Sequence, residues 1–430
     1  MIPVPETSLP RVIVIGGGFA GVKLVKNLKK LPIQVVLFDR NNYHTFQPLL
    51  YQVATAGLEP DSIADPLRKQ LELMKYFYFR MGEVYSVDTK LKVIDTEIGQ
   101  LNYDYLVIAT GSKTNYFGNQ SIMDNAFPLK QIPQALDLRS HILQNFEAAT
   151  ITTDPVEMKS RMNIAIVGGG PTGVEVAGAL GELKKNVLPD DYPELDFDQM
   201  HITLLEGADK LLGGMSASSS NRALKYLKKF DVEVKLNTLV KSYDGNVAKL
   251  NVGDDIVTHT LIWAAGVEGN FPKGLPETAI SHGRISVDHF NQVKDTENVF
   301  AIGDIALMQD EIHPKGHPML APVAIQQGDL LAKNLKRLIK KQPLLPFKYK
   351  DKGSMATIGR NKAVVDLPGN LRFGGFFAWL IWMFVHLISI IGFRNRIIVF
   401  SNWVWNYFTY DKGTRLIIRK FIPNNQKSTK

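Results

Sequence analysis

Short unbroken runs of β-branched and leucine residues recur along this chain, and each stops at a glycine or an acid. Val12-Ile13-Val14-Ile15 runs into Gly16, Val35-Val36-Leu37-Phe38 into Asp39, and residues 101–111 end in Ala109-Thr110-Gly111. The same happens at Ile164-Ala165-Ile166-Val167 before Gly168, at His201–Leu205 before Glu206, at Thr260–Ala265 before Gly266, and at Val299–Ile302 before Gly303-Asp304. Runs that are apolar on both faces predict the buried strands of a parallel sheet. Between the first two runs, Val22–Lys30 has helical spacing and ends before Pro32. Residues 11–40 therefore read strand, glycine turn, helix, strand, and residues 163–206 repeat that order. Gly168 to Glu206 spans 38 residues against 23 from Gly16 to Asp39. The excess lies in a Pro/Asp-rich insert at Leu188–Gln199, expected to be a longer helix and a loop.

The apolar pattern changes near the C-terminus, after a linker marked by Pro343 and Pro346. Phe373–Phe393 is 21 residues without a formal charge, long enough to cross a bilayer. Its composition argues for a helix lying in the interface instead. Trp379 and Trp382 sit near its middle, whereas spanning helices carry tryptophan at their ends. His386 and Ser389 interrupt it, and Gly374-Gly375 weakens its start. The amphipathic stretch Ile397–Tyr410 follows, with Trp403, Trp405, Tyr407 and Phe408. Two such stretches predict a monotopic anchor. A homodimer interface is the competing use of the same surface, and the two uses are compatible.

The glycine turns carry the chemistry. Gly16-x-Gly18-x-x-Gly21 and Gly168-x-Gly170-x-x-Gly173 lie 152 residues apart. In such a unit the first glycine makes the tight turn, the second admits a pyrophosphate, and the third lets helix pack on strand. The helix N-terminus then offers free N–H groups to the phosphates. Asp39 and Glu206 end the following strands, where a carboxylate accepts from an adenosine ribose. A carboxylate at Glu206 also repels a 2′-phosphate, which predicts NADH over NADPH. Ala109-Thr110-Gly111 and Ala264-Ala265-Gly266 are small-residue strand ends that pass close to a cofactor, and Asp304 can take a ribityl hydroxyl. One such turn can be an ordinary loop; two predict a chain that holds two dinucleotides, a flavin and a nicotinamide. Glu175, two residues past Gly173, reads either as an exposed acid favoured by the helix dipole or as a group beside the nicotinamide.

Composition narrows this further. The chain has no cysteine, which removes thiol-based redox relays and disulfides. Nine histidines show no H-E-x-x-H spacing, so no metal site is expected. Residues 371–430 hold nine Lys/Arg (Arg372, Arg394, Arg396, Lys412, Arg415, Arg419, Lys420, Lys427, Lys430) against Asp411, which accounts for the whole net charge of +8. A basic, aromatic tail suits an anionic membrane surface better than nucleic acid, because its charges flank apolar runs. Met1–Arg11 lacks the features of a secretory signal.

The run Asn42–Gly57 (NYHTFQPLLYQVATAG), together with Gly170–Gly178 (GPTGVEVAG) and Phe300–Asp304, resembles the type II NADH:quinone oxidoreductases, single-subunit NADH dehydrogenases that do not pump protons. The resemblance implies an α/β two-dinucleotide-binding flavoprotein with two Rossmann-like domains and a C-terminal membrane-anchoring helical segment. The implied division is 8–125 and 286–345 for FAD, 126–285 for NADH and 346–430 for the membrane. Non-covalent FAD would be held by Gly16, Gly18, Phe19, Ala20, Gly21, Asp39, Arg40, Gln47, Val84, Thr110, Gly111, Gly303, Asp304, Ala321 and Pro322. NADH would be held by Gly168, Gly170, Pro171, Thr172, Gly173, Glu175, Glu206, Ala265 and Gly266. Glu175 and Gln326 are the expected catalytic groups. The family's quinone motif A-Q-x-A-x-Q reads here Ala321-Pro322-Val323-Ala324-Ile325-Gln326, so Pro322 replaces one expected amide while Gln326 is kept. Lys362 is the candidate basic residue near the quinone. The acceptor would be menaquinone or ubiquinone, on the cytoplasmic face of a bacterial inner membrane. A reductase serving a protein acceptor such as ferredoxin is the alternative enzyme, and an NADH-binding scaffold flavoprotein the alternative outside enzymes; the tail argues against the first.

Overall fold

The computed structural model describes residues 2–72, 74–410, 413–418 and 421–422. Lys412, Arg419, Lys420, Lys427, Lys430 and Asp411, six of the ten charges counted in the tail, lie outside the described residues. The chain forms two compact units, and three segments contribute to each.

The first unit takes Met1–Thr45, Ala64–Lys113 and Val267–Asp351. Its centre is a five-stranded parallel sheet in the order Val299–Ala301, Tyr105–Ile108, Arg11–Ile15, Gln34–Asp39, Phe77–Met81. The β-branched runs make these strands because both sheet faces are covered: Val12, Ile13 and Val14 are fully buried, as are Val36, Leu37 and Phe38. Helix Phe19–Leu28 packs against helix Ala321–Ile339. Gly328 permits that approach, since a Cβ there would lie 2.5 Å from the Ala20 carbonyl oxygen. A small antiparallel sheet, Val84–Asp88, Val93–Thr96 and Gly99–Asn102, completes the unit. The expected strand over 101–111 is thus two strands. Tyr103 and Asp104 separate them, and Asp104 turns back to accept from the Arg11 amide at 2.6 Å.

The second unit takes Phe46–Ile63, Thr114–Gly266 and Lys352–Lys430. It repeats the arrangement: Phe127–Pro128, Thr260–Trp263, Ile164–Val167, Ile202–Leu205 and Val232–Lys235 form a five-stranded parallel sheet in that order. The longer helix is Pro171–Asn186, 16 residues against 10 for Phe19–Leu28, and the insert after it holds a short helix, Leu188–Asp191, and a single 3-10 turn.

The uncharged run near the C-terminus is not one element. Leu371–Gly374 is the last strand of an antiparallel sheet with Ser354–Thr357 and Ala363–Leu367. Gly375, at φ +88°, then turns the chain into helix Phe376–Ser389. A second positive-φ glycine, Gly392, separates this from helix Phe393–Thr409. Among the described residues no helix is long and apolar enough to cross a membrane.

Candidate active site

The two glycine turns have the same geometry, each within its own unit. Gly16 and Gly168 have φ of +110° and +109°, and a Cβ on either would strike a strand-end carbonyl oxygen, of Ala109 at 2.3 Å or Ala264 at 2.7 Å. A Cβ on Gly21 would lie 1.9 Å from the Gly16 oxygen, and one on Gly173 1.9 Å from the Gly168 oxygen. By contrast, Gly18 and Gly170 face open space. These are the helix N-caps, and no side chain caps either helix. The unoccupied N–H groups and the clear approach make an anion site in each turn.

The strand-end acids are fixed identically. Asp39 accepts from the Gly17 amide at 2.7 Å and the Asn41 amide at 2.7 Å. Glu206 accepts from the Gly169 amide at 2.5 Å and the Ala208 amide at 2.7 Å. Burial raises the Asp39 pKa, while those two N–H groups and Arg40 pull it down. Arg40 itself is turned outward, 4.0 Å from the exposed Glu83.

Most of the expected flavin residues gather in the first unit. Phe19 and Ala20 open its cofactor helix. Gly111 has φ +67° with open space around it, and the buried Thr110 hydroxyl has no partner. Gly303 has φ +80°, and Ser112 donates to Asp304 at 2.7 Å. Ala321 and Pro322 open helix Ala321–Ile339. Val84 packs on the unit's core. Gln47 is an exposed residue assigned to the second unit. Gln326 has both ends of its amide engaged with the Lys350 backbone, Nε2 to O and N to Oε1, each at 3.0 Å.

Two residues of this region were not singled out from sequence. His44 is buried with its Nδ1 2.9 Å from the Gly17 oxygen and its ring edge-on to Phe19. Burial lowers its pKa to about 4, so the ring is neutral, and Nε2 has no partner. Gln327 is fully buried; its Oε1 accepts from the Gly303 amide at 2.7 Å, and Nε2 has no partner. The only sequence signals were a histidine next to a strand end and a second glutamine beside Gln326.

In the second unit Pro171, Thr172 and Gly173 form the first turn of helix Pro171–Asn186. Ala265 and Gly266 follow strand Thr260–Trp263, with Gly266 at φ +81° against the Phe117 ring. Glu175 is not the exposed acid that the dipole reading allowed: it is 8% exposed. Its Oε1 lies 3.4 Å from the Thr357 amide. Burial pushes its pKa up to about 8, against the Thr357 N–H and the Trp382 indole, which favour the carboxylate. Tyr51, equally buried, has its phenol pushed up by burial and by the Glu175 charge. Lys362 lies in the turn before strand Ala363–Leu367, its ammonium 4.3 Å from the Phe230 ring centroid. It therefore belongs to the second unit, whereas Pro322 and Gln326 belong to the first.

The second half of the run 42–57 is explained by the C-terminal helices. Trp403 donates to Gln52 at 2.8 Å, Asn406 to the Gly57 oxygen at 3.2 Å, and Phe46 meets His386 edge-on. Trp382 is buried and stacked on His386. Arg360 donates to the Tyr407 oxygen at 2.7 Å and lies over the Tyr410 ring. The other side of these helices is bare: Phe377, Phe384, Phe393, Trp405 and Phe408 are all exposed.

Comparison with known proteins agrees with this arrangement. Residues 10–328 match the pyridine nucleotide-disulphide oxidoreductase family, and residues 352–410 match the NDH2 C-terminal domain. The chain is 35% identical to the type II NADH:quinone oxidoreductase NdhA of Mycobacterium tuberculosis, over 96% of this chain and 90% of that one. It is 30% identical to the type II NADH:quinone oxidoreductase of Staphylococcus aureus, over 82% of this chain and 89% of that one. The NDH2 of Plasmodium falciparum, solved in complex with NADH, has the same fold, with a TM-score of 0.87 at 23% identity, covering 95% of this chain and all of that one.

Proposed function

The chain belongs to the type II NADH:quinone oxidoreductases, enzymes that move electrons from NADH to quinone, and from that premise we propose how its residues divide the work. The first unit would hold non-covalent FAD. Its residues fit that group: an open Gly18, an uncapped helix N-terminus, a fixed Asp39 and an unpartnered Thr110 hydroxyl. When bound, FAD would accept a hydride and release electrons to quinone, chemistry that the side chains cannot supply. Gly16–Gly21 would take the pyrophosphate, Asp39 the adenosine ribose, Asp304 the ribityl chain, and Ala321 and Pro322 the neighbourhood of the ring. The functional division proposed is 8–125 with 286–345 for FAD, 126–285 for NADH and 346–430 for the membrane.

NADH would bind the second turn through Gly168, Gly170, Pro171, Thr172 and Gly173, with Ala265 and Gly266 beneath it and Glu206 on its ribose. Two amides already orient the Glu206 carboxylate, so its free lone pairs meet ribose hydroxyls without reorganisation, and its charge rejects a 2′-phosphate. Glu175, mostly protonated at neutral pH, would hold a proton on the NADH helix and offer a donor. Gln326 would be the polar group toward the quinone head, menaquinone or ubiquinone, after exchanging its Lys350 bonds. The exposed aromatics of helices Phe376–Ser389 and Phe393–Thr409, with Arg394 beside them, would lie in the bilayer interface on the cytoplasmic face of a bacterial inner membrane, in a homodimer. Transfer would proceed without proton pumping; NADH addition to proteoliposomes of this protein alone should leave the internal pH unchanged.

The observation that carries this reading is the second turn: a duplicated phosphate site whose strand-end acid is already aligned. Steady-state turnover with a short-chain quinone tests it. NADH should exceed NADPH in kcat/KM by at least tenfold; equal values would remove the role given to Glu206.

A further inference from the structure

The loop between strand Ala306–Leu307 and helix Ala321–Ile339 gathers three metal-ligand side chains that the reaction does not use. Asp310, His313 and His317 stand at D-x2-H-x3-H spacing. A tight turn brings them together: the Gly316 amide donates to the His313 oxygen at 2.9 Å, with Gly316 at φ +84°, and the His317 amide donates to the Met308 oxygen at 3.1 Å. His313 Nδ1 lies 3.0 Å from one Asp310 carboxylate oxygen and His317 Nε2 3.2 Å from the other. One ligand atom from each residue falls within 4.8 Å of the other two. Zinc ligands about 2.0–2.1 Å from the ion subtend tetrahedron edges of roughly 3.3 Å; the two measured approaches have that length but reach different oxygens of Asp310, so a small turn of the carboxylate would complete the set.

The surroundings suit a cation ligand set. His317 is 1% exposed. Phe347 and Tyr349 flank the His317 ring. Arg284 does not occupy the carboxylate; it donates to the His317 backbone oxygen at 3.1 Å. Asp310 and His313 are partly open to solvent, which leaves an entry path and a fourth position for water.

We propose that Asp310, His313 and His317 form a divalent transition-metal site, with Zn²⁺ as its fitting ion. Two imidazoles and a carboxylate select zinc-like ions over Mg²⁺ and Ca²⁺, which prefer all-oxygen sites. This departs from the sequence expectation of no metal site. The ion would pin the loop that leads directly into Ala321 and Pro322, so its role is to rigidify the start of that helix.

The test is calorimetric titration of the tag-free, chelator-stripped holoenzyme with Zn²⁺, beside His313→Ala and Asp310→Asn. His313 is a partly exposed loop residue and Asn keeps the shape of Asp, so flavin content should match wild type in at least one variant and report its folding. The expected result is a single saturable site in wild type, weakened at least roughly tenfold in the folded variants, as loss of a ligand demands. Mg²⁺ should not compete. No saturable heat in wild type, or equal affinity in wild type and a folded variant, overturns the proposal.

Discussion

Glu175→Gln is the sharpest single perturbation of the second unit. The glutamate carboxyl is 8% exposed and is pushed from 4.5 up to about 8. A raised pKa in a carboxylic acid means that the folded protein keeps its proton where the unfolded chain has lost it. Stability is therefore full below about pH 4.5, falls as pH rises from there toward 8, and levels off above. At 1.36 kcal/mol per pH unit, keeping the proton on the buried carboxyl costs about 3 kcal/mol at pH 7, and burying the carboxylate costs roughly 5 kcal/mol above pH 8. Glutamine cannot ionise and can still accept from the Thr357 amide, so the variant escapes this loss. With an unfolding entropy near 2.1 cal/mol/K per residue, 430 residues convert these figures to a melting-temperature gain of about 4 °C at pH 7 and about 5 °C at pH 8.5. Thermal denaturation of both proteins across this range should give curves that meet near pH 4.5 and diverge above it. Parallel curves would mean that Glu175 is not a buried proton holder, and its proposed part in the reaction would go with it.

Other substitutions separate the remaining roles. Gly21→Ala, with its Cβ 1.9 Å from the Gly16 oxygen, should yield protein without flavin, whereas Gly173→Ala should keep flavin and raise the KM for NADH at least tenfold; absorbance and kinetics read the two. Glu206→Gln should bring the NADH to NADPH ratio of kcat/KM at least tenfold closer to one. Replacing Phe377, Phe384 and Phe408 together by serine should reduce liposome co-sedimentation and leave activity with a water-soluble quinone within twofold, because these side chains are exposed. Deleting everything after Pro346 is the poorer test of the tail, since Gly178 on the second cofactor helix is in close contact with the Ile358 and Gly359 backbone.

What could be read from sequence was what is local. Each glycine turn, its two strands and its terminal acid fall within about forty positions, and the positive φ at Gly16 and Gly168 leaves little choice of residue even though the carbonyls they clear, of Ala109 and Ala264, lie farther along the chain. The burial of Glu175 was illegible because it is imposed by Thr357 and Trp382, far along the chain. His44 and Gln327 were hidden for the same reason: each is defined by a backbone group that the fold brings to it, Gly17 or Gly303. The apolar tail misled in one respect. Gly375 breaks it, and residues 371–374 pair as a strand with Ala363–Leu367 because their backbone groups find partners there. Asp310, His313 and His317 were adjacent in sequence, but only the turn at Gly316 makes their spacing a cluster.

The central claim is that one chain takes electrons from NADH and gives them to quinone through a bound flavin. Anaerobic stopped-flow absorbance, first with NADH and then with a short-chain quinone, addresses it directly. The purified protein should be yellow, bleach within milliseconds of NADH addition, and recover its colour on quinone addition. Bleaching without recovery would contradict quinone as the acceptor, and a colourless protein would contradict the reading of the first glycine turn as a flavin site.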